Sequence, residues 1–137
     1  MKTNRLFPIF ILFLIFGTVS CASISQEETS AASYKNIQAT EFNKLKTDPN
    51  TIIIDVRTPA ETAEGVIEGA SLFVDYTASN FGTEINKLDK TKNYIVYCRS
   101  GGRSVGASEQ MIAAGFKNVY NLEGGISNWK GAVVAKP

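Results

Sequence analysis

Between residues 34 and 132, short apolar runs alternate with segments whose apolar residues recur every three or four positions. The first kind predicts strands and the second predicts helices. Residues 34–37 form a weak strand. Thr40 then stands where it can cap a helix in which Phe42 and Leu45 share a face, and the turn residues Asp48-Pro49-Asn50 end it. The run "TIIIDV" (51–56) does not alternate, which predicts a strand buried on both faces. "TPAE" (58–61) places Thr at an N-cap, Pro in the first turn and Glu at the third helical position, so a short helix opens there. A strand over 71–75 and a helix over 79–88, with Phe81, Ile85 and Leu88 in register, come next. "NYIVYC" (93–98) is a second continuous buried strand. Residues 103–114 are helical, with Val105, Ile112 and Ala113 apolar and Gly115 suited to the position just past the end. "NVYNL" (118–122) is the last strand, and "GISNWKGA" (125–132) a short closing helix. Strands alternating with helices predict a mostly parallel five-stranded sheet with helices on both faces, an α/β architecture.

The pattern before residue 34 is different. "MKTNR" carries two positive charges, "LFPIFILFLIF" is unbroken and apolar, and "GTVSC" follows with small residues. A charged start, an apolar stretch and a small-residue junction describe a signal peptide over residues 1–20. The apolar run is short beside the ~20 residues that span a bilayer, although an uncleaved anchor reaching Ile24 is an alternative. Val19-Ser20-Cys21 resembles the end of a bacterial lipoprotein precursor signal, and Thr18 departs from the leucine usual there. That resemblance implies a lipid-modified Cys21 at the start of a mature chain held in the cell envelope, facing the periplasm. Ordinary cleavage near Ala22 would instead leave a soluble periplasmic protein. Residues 21–33 ("CASISQEETSAAS") are small, polar and acidic and read as a flexible tether. The folded domain is expected over 34–137.

Composition adds little beyond exclusions. Hydrophobic residues at 44% and charged residues at 20% suit a globular core. The 14 basic residues include Lys2 and Arg5; without those two, 12 face 13 acidic ones. Such a balance gives no reason to expect a nucleic-acid partner. Histidine is absent and the only cysteines are Cys21 and Cys98, so a metal site is not expected, and no cofactor is implied. With Cys21 lipidated, Cys98 has no partner for a disulfide.

Cys98 ends a buried strand and is followed by Arg99-Ser100-Gly101-Gly102-Arg103-Ser104, leading into a helix. Ligands of open α/β sheets bind beyond the carboxyl ends of the strands. Glycines let backbone N–H groups turn inward, and a helix start adds partial positive charge. A sulfur held there ionises more easily, because helix N-termini and nearby cations lower thiol pKa values. The loop can thus make a thiolate without a histidine.

This loop resembles the active-site loop of single-domain rhodaneses, sulfurtransferases that carry sulfane sulfur as a cysteine persulfide. "IIIDVRTPAE" (52–61) is similar to the family's Asp-x-Arg-x-x-x-Glu segment, and "NLEGGISNW" (121–129) to its Gly-Gly-x-x-x-Trp close. "GVIEGA" (65–70) stands where the family usually has Gly-His-Ile-x-Gly-Ala, with Val66 replacing the histidine. The resemblance implies the rhodanese-like fold and makes Cys98 the nucleophile. It implies a sulfane donor such as thiosulfate, and a thiol, cyanide or protein acceptor. Backbone groups of Ser100, Gly101, Gly102, Arg103 and Ser104 would hold the bound sulfur, and Arg99 and Arg103 would attract the anionic donor. Asp55 and Arg57 are expected as a supporting ion pair. Glu61 is open between a loop-arginine partner and a plain capping role. Gly124, Gly125 and Trp129 are expected to position the loop. Phosphatases of related fold resemble Cys-x5-Arg, whereas Cys98 and Arg103 are separated by four residues. A non-catalytic binding or redox-sensing module is the alternative to an enzyme.

Overall fold

A computed structural model describes residues 32–137. The expected signal peptide, Cys21 and all but the last two residues of the tether lie outside them. Among the described residues no helix is long and apolar enough to cross a membrane.

Five strands form one wholly parallel sheet: β1 (Lys35–Ile37), β2 (Thr51–Asp55), β4 (Ala70–Phe73), β5 (Asn93–Tyr97) and β6 (Asn118–Leu122), in the order β1-β6-β5-β2-β4. The helices are α1 (Ala39–Leu45), α2 (Pro59–Ala63), α3 (Phe81–Asn86) and α4 (Gly102–Ala113). β2 and β5 occupy the interior of the sheet, which is why their sequences run apolar without alternation. Their side chains divide between two cores. Ile54, Tyr94 and Val96 pack with Phe81, Ile85, Ala107 and Met111 from α3 and α4. Ile53, Ile95 and Tyr97 pack on the other face with Phe42 of α1, Val66 and Ile67. Each fully buried aliphatic side chain contributes roughly 1.5–3 kcal/mol.

Several local expectations change. Thr40 does not cap α1; Gln38 occupies the N-cap, and Phe42 N–H donates to its carbonyl at 2.9 Å. α4 buries Ser104, Ala107, Ser108 and Met111 rather than Val105, Ile112 and Ala113. Small side chains let it lie close to the sheet, and the Ser108 hydroxyl donates to the Ser104 carbonyl at 2.7 Å. Gly115 sits at φ +95° past the end of α4, with Gly115 N–H on Ile112 O and Phe116 N–H on Met111 O, a Schellman close. The expected closing helix is only a 3-10 turn over Ile126–Asn128. Two short strands escaped the pattern: β3 (Val66–Ile67) pairs antiparallel with β7 (Val133–Val134).

The turn after β6 touches the end of β5. Ile126 N–H donates to Cys98 O and Ser127 N–H to Arg99 O, both at 2.9 Å. Gly125 makes this approach possible at φ +56°. A Cβ there would lie 2.6 Å from the Arg99 carbonyl oxygen and closer still to that of Cys98. Gly125→Ala is therefore expected to cost at least about 2 kcal/mol. Gly82→Ala, early in α3 with open space around it, is expected to be neutral or stabilising by up to about 1 kcal/mol. Urea denaturation of both variants checks this; equal midpoints would remove the close-approach explanation.

Candidate active site

Strand alternation decides where the thiol points. Tyr94 and Val96 face α4, Ile95 and Tyr97 face away, and Cys98 falls in turn on the α4 side. It is 1% exposed. Beyond it the chain must fold back into α4 within four residues, and Gly101, at φ +114°, makes that reversal as the N-cap of the helix. Val105 N–H and the Ser104 hydroxyl both donate to the Gly101 carbonyl, at 3.0 and 3.1 Å. The Gly101 N–H is thereby aimed inward, onto Cys98 Sγ at 3.0 Å.

Two opposed effects act on the thiol. Burial pushes its pKa up, but the nearby hydroxyl and N–H of Ser104 and the N–H groups of Gly101 and Ser100 outweigh it. The net result is a pKa below the ordinary thiol value. The α4 N-terminus adds the field of twelve helical residues. This arrangement can hold negative charge on sulfur without a base.

Glu61 performs both of the roles left open for it. It completes a capping box with Thr58, whose N–H donates to Oε2 at 3.1 Å while Glu61 N–H donates to Thr58 Oγ1 at 3.3 Å. Its carboxylate also receives Arg103 through two nitrogens, at 2.6 and 2.8 Å, and Arg99 Nε at 2.9 Å. The Arg103 pair, with help from Arg99 and Thr58, holds the Glu61 carboxyl well below the usual carboxylate range despite its partial burial. Both loop arginines are thus turned onto one carboxylate.

Asp55 and Arg57 form a separate ion pair. They are 0% and 4% exposed, and Arg57 reaches Asp55 through Nε and a terminal nitrogen, the latter at 2.7 Å. That same nitrogen donates to Gly65 O at 2.7 Å. The guanidinium lies 5.8 Å from the Tyr97 ring centre, and Tyr97 OH accepts from Ile67 N–H at 3.1 Å. This is a brace tying the end of β2 to the 65–67 segment. Val66 is fully buried beside it and pairs with Val134, so the residue in the histidine's place is core. Trp129 packs on Phe42 at 4.6 Å and its ring N–H donates to Ala132 O at 3.2 Å. Sequence reasoning missed the Ser104 hydroxyl, the Tyr97 hydroxyl and the Gly65 carbonyl. A Ser directly after the loop arginine was a signal for the first, while the other two depend on long-range packing that no local pattern reports. Among the described residues no group of three or more His, Cys, Asp or Glu is placed to hold a metal.

Comparison with known proteins agrees with this fold. Residues 38–132 match the family model of the rhodanese-like domain. The candidate sulfurtransferase YtwF of Bacillus subtilis (strain 168) is 38% identical over 93 residues, covering 68% of this chain and 86% of that protein. The tRNA uridine(34) hydroxylase of Yersinia pestis (strain Pestoides F) is 34% identical over 96 residues, which span 66% of this chain but only 26% of the hydroxylase. Among solved structures, a rhodanese-like domain protein from Staphylococcus aureus superposes with a TM-score of 0.64 at 31% identity, covering 75% of this chain and 99% of the other. A rhodanese-related protein from Thermoplasma volcanium gives 0.66 at 27% identity, covering 75% and 100%. With the parallel sheet, the Cys98 loop and this match across most of the described residues, the chain belongs to the rhodanese-like domain family.

Proposed function

We propose that the protein is a sulfurtransferase that carries sulfane sulfur as a persulfide on Cys98. The observation that carries this reading is the inward N–H of Gly101, 3.0 Å from Cys98 Sγ, in a loop that lowers the thiol pKa. The cycle has two steps. The Cys98 thiolate attacks the sulfane sulfur of a donor; for thiosulfate, the sulfur–sulfur bond forms as the old one breaks, and sulfite leaves with the electron pair. An acceptor thiolate or cyanide then attacks the outer sulfur and releases the Cys98 thiolate. The loop N–H groups neutralise charge on the inner sulfur and, one bond further out, on the persulfide. Four residues between Cys98 and Arg103 make a tighter loop than the five of the related phosphatases, which favours a single sulfur atom over a phosphoryl group.

Mass spectrometry of the protein after incubation with thiosulfate is expected to show a gain of one sulfur. Cyanide should remove it as thiocyanate, and Cys98→Ser should never acquire it. If no sulfane donor of any kind leaves an adduct, the sulfurtransferase reading is wrong.

We further propose that the chain works in the bacterial cell envelope, lipid-anchored through Cys21 and facing the periplasm. The support is the charged start, the apolar run and the Val19-Ser20-Cys21 junction. Metabolic labelling with a fatty acid is expected to mark the chain and to fail in Cys21→Ser. Label that persisted in the variant would rule out lipidation at that residue.

A further inference from the structure

All five strands of the sheet run the same way, so the domain has an amino pole and a carboxyl pole. Cys98 and its loop lie at the carboxyl pole, just beyond the end of β5. The chain enters at the other one, where Ser33 and Tyr34 precede β1 and line a cavity with Ile112 and Ala113 from the last turn of α4. The length of β5 alone puts roughly 17 Å between the poles. Three connections close the amino pole: 46–50 before β2, 87–92 before β5 and 114–117 before β6. They touch one another. Asn93 N–H donates to Asn50 O at 3.0 Å, Lys92 Nζ to Asn50 Oδ1 at 3.1 Å, and Lys90 Nζ to Ala114 O.

This surface, with the end of α1, carries Lys44, Lys46, Lys87, Lys90, Lys92 and Lys117. Lys46 lies 3.6 Å from Glu68 and Lys87 2.8 Å from Glu84. The other four have no carboxylate within ion-pair distance among the described residues. Two further acids at this pole are turned into their own loops. Asp48 accepts from Asn50 N–H at 2.8 Å and from Asn93 Nδ2 at 3.1 Å; Asp89 accepts from the N–H and hydroxyl of Thr91, at 2.9 and 2.6 Å. At the carboxyl pole the balance reverses. There Glu61, Glu64, Asp75 and Glu123 face Arg99, Arg103 and Lys130, while Asp55 and Arg57 cancel.

We infer that the lysine-bearing amino pole docks on an anionic phospholipid surface, the bilayer that holds Cys21, and so turns Cys98 away from it. The inference rests on the proposed anchor for its reach and does not depend on the sulfur chemistry. Cys21 and Ser33 are twelve residues apart, at most roughly 40 Å of extended chain. Because the chain leaves the domain at the amino pole, these lysines are the charges brought nearest the lipid. Attraction to an anionic leaflet acts within about a Debye length, ~8 Å at physiological salt. A lysine meets a headgroup phosphate as a point charge on a flexible stem, so no built pocket is required. The near-even balance of the whole chain conceals the arrangement, since the surplus lies at one end. α1, α3 and α4 also end at this pole, and their partial negative charge gives lysines there a second use. With the amino pole on the lipid, Cys98 exchanges sulfur with partners arriving from the aqueous side.

The full chain, added from detergent to preformed vesicles of phosphatidylcholine with or without phosphatidylglycerol, tests this. Flotation reads retention, and brief acetylation followed by mass spectrometry reads each lysine. On the anionic vesicles, acetylation of Lys44, Lys46 and Lys117 is expected to slow about threefold or more relative to the neutral ones. Lys130, and Lys136 over the Phe73 ring at the far end of β4, should not change. The difference should vanish in about 0.5 M salt. Lys44→Glu combined with Lys117→Glu alters only exposed side chains and is expected to remove the protection of Lys46. Equal acetylation on both vesicles, with the chain retained on both, would mean that the lysines serve only the helix ends; the docking would fall and the anchor stand. Protection centred on Lys130 and Lys136 would overturn it too, by putting the opposite pole on the lipid. A chain washed off neutral vesicles would refute the anchor. Retention on the anionic ones alone, with the same lysines protected, would then sustain the docking by itself, and retention on neither would overturn both.

Discussion

A sulfur atom that is 1% exposed and has no neighbouring histidine can carry negative charge only if backbone N–H groups supply what water would. That constraint governs the rest of the molecule. Burying an uncompensated ion costs several kcal/mol, and a hydrogen bond to a charged acceptor returns about 1.5–3 kcal/mol. One such bond is too few, and the loop brings groups from Ser100, Gly101 and Ser104 to bear on Cys98. Those donors converge only if the chain reverses at Gly101 and the backbone of Cys98 and Arg99 is held from behind. The turn at Gly125–Ser127 does the holding, through the carbonyls of both residues. Two glycines with positive φ, one on each side of the contact, let the segments meet.

The charged residues around this centre divide into two independent groups. Asp55 and Arg57 are buried and satisfied by one another, by Gly65 O and by the Arg57 N–H. They stiffen the end of β2, which lies beside β5 in parallel register. Glu61 sits nearer the surface and belongs to α2, yet it restrains the loop from across the site through Arg99 and Arg103. One carboxylate therefore links the capping of a helix to the shape of the loop. Partial exposure keeps the pairing modest as a source of stability; what it fixes is the direction of the two loop arginines.

Much of this was legible in the sequence, for identifiable reasons. β2 and β5 were plain because central strands of a parallel sheet are apolar without alternation, and α2 because Thr58, Pro59 and Glu61 spell out its start. The Cys98 loop was legible from glycine and arginine spacing alone. What escaped were features fixed by distant parts of the chain. β3 and β7 are two residues each and exist only through their pairing. α4 buries serines because it lies close to the sheet, so its inner face could not be found by looking for apolar side chains. The two arginines were expected to meet an incoming anion, with Glu61 left open as a partner for one of them; the fold turns both onto Glu61, 42 and 38 residues away in the chain. Composition showed positive charge near the thiol, and the fold showed that Glu61 takes both terminal nitrogens of Arg103 and the Nε of Arg99.

The central claim, that the loop ionises Cys98 without a base, is tested most directly by titrating the thiolate. Ultraviolet absorbance of the chain, less that of its Cys98→Ser variant, gives the midpoint for this sulfur alone. A group whose pKa is lowered by folding stabilises the native state above its unfolded pKa and loses that contribution as pH falls through the folded one. Unfolding measured in parallel should therefore show the same group. The account predicts a midpoint below the ~8.5 of a free thiol, rising when Ser104 is replaced by Ala. A midpoint at or above that of a free thiol, unmoved by Ser104→Ala, would contradict it.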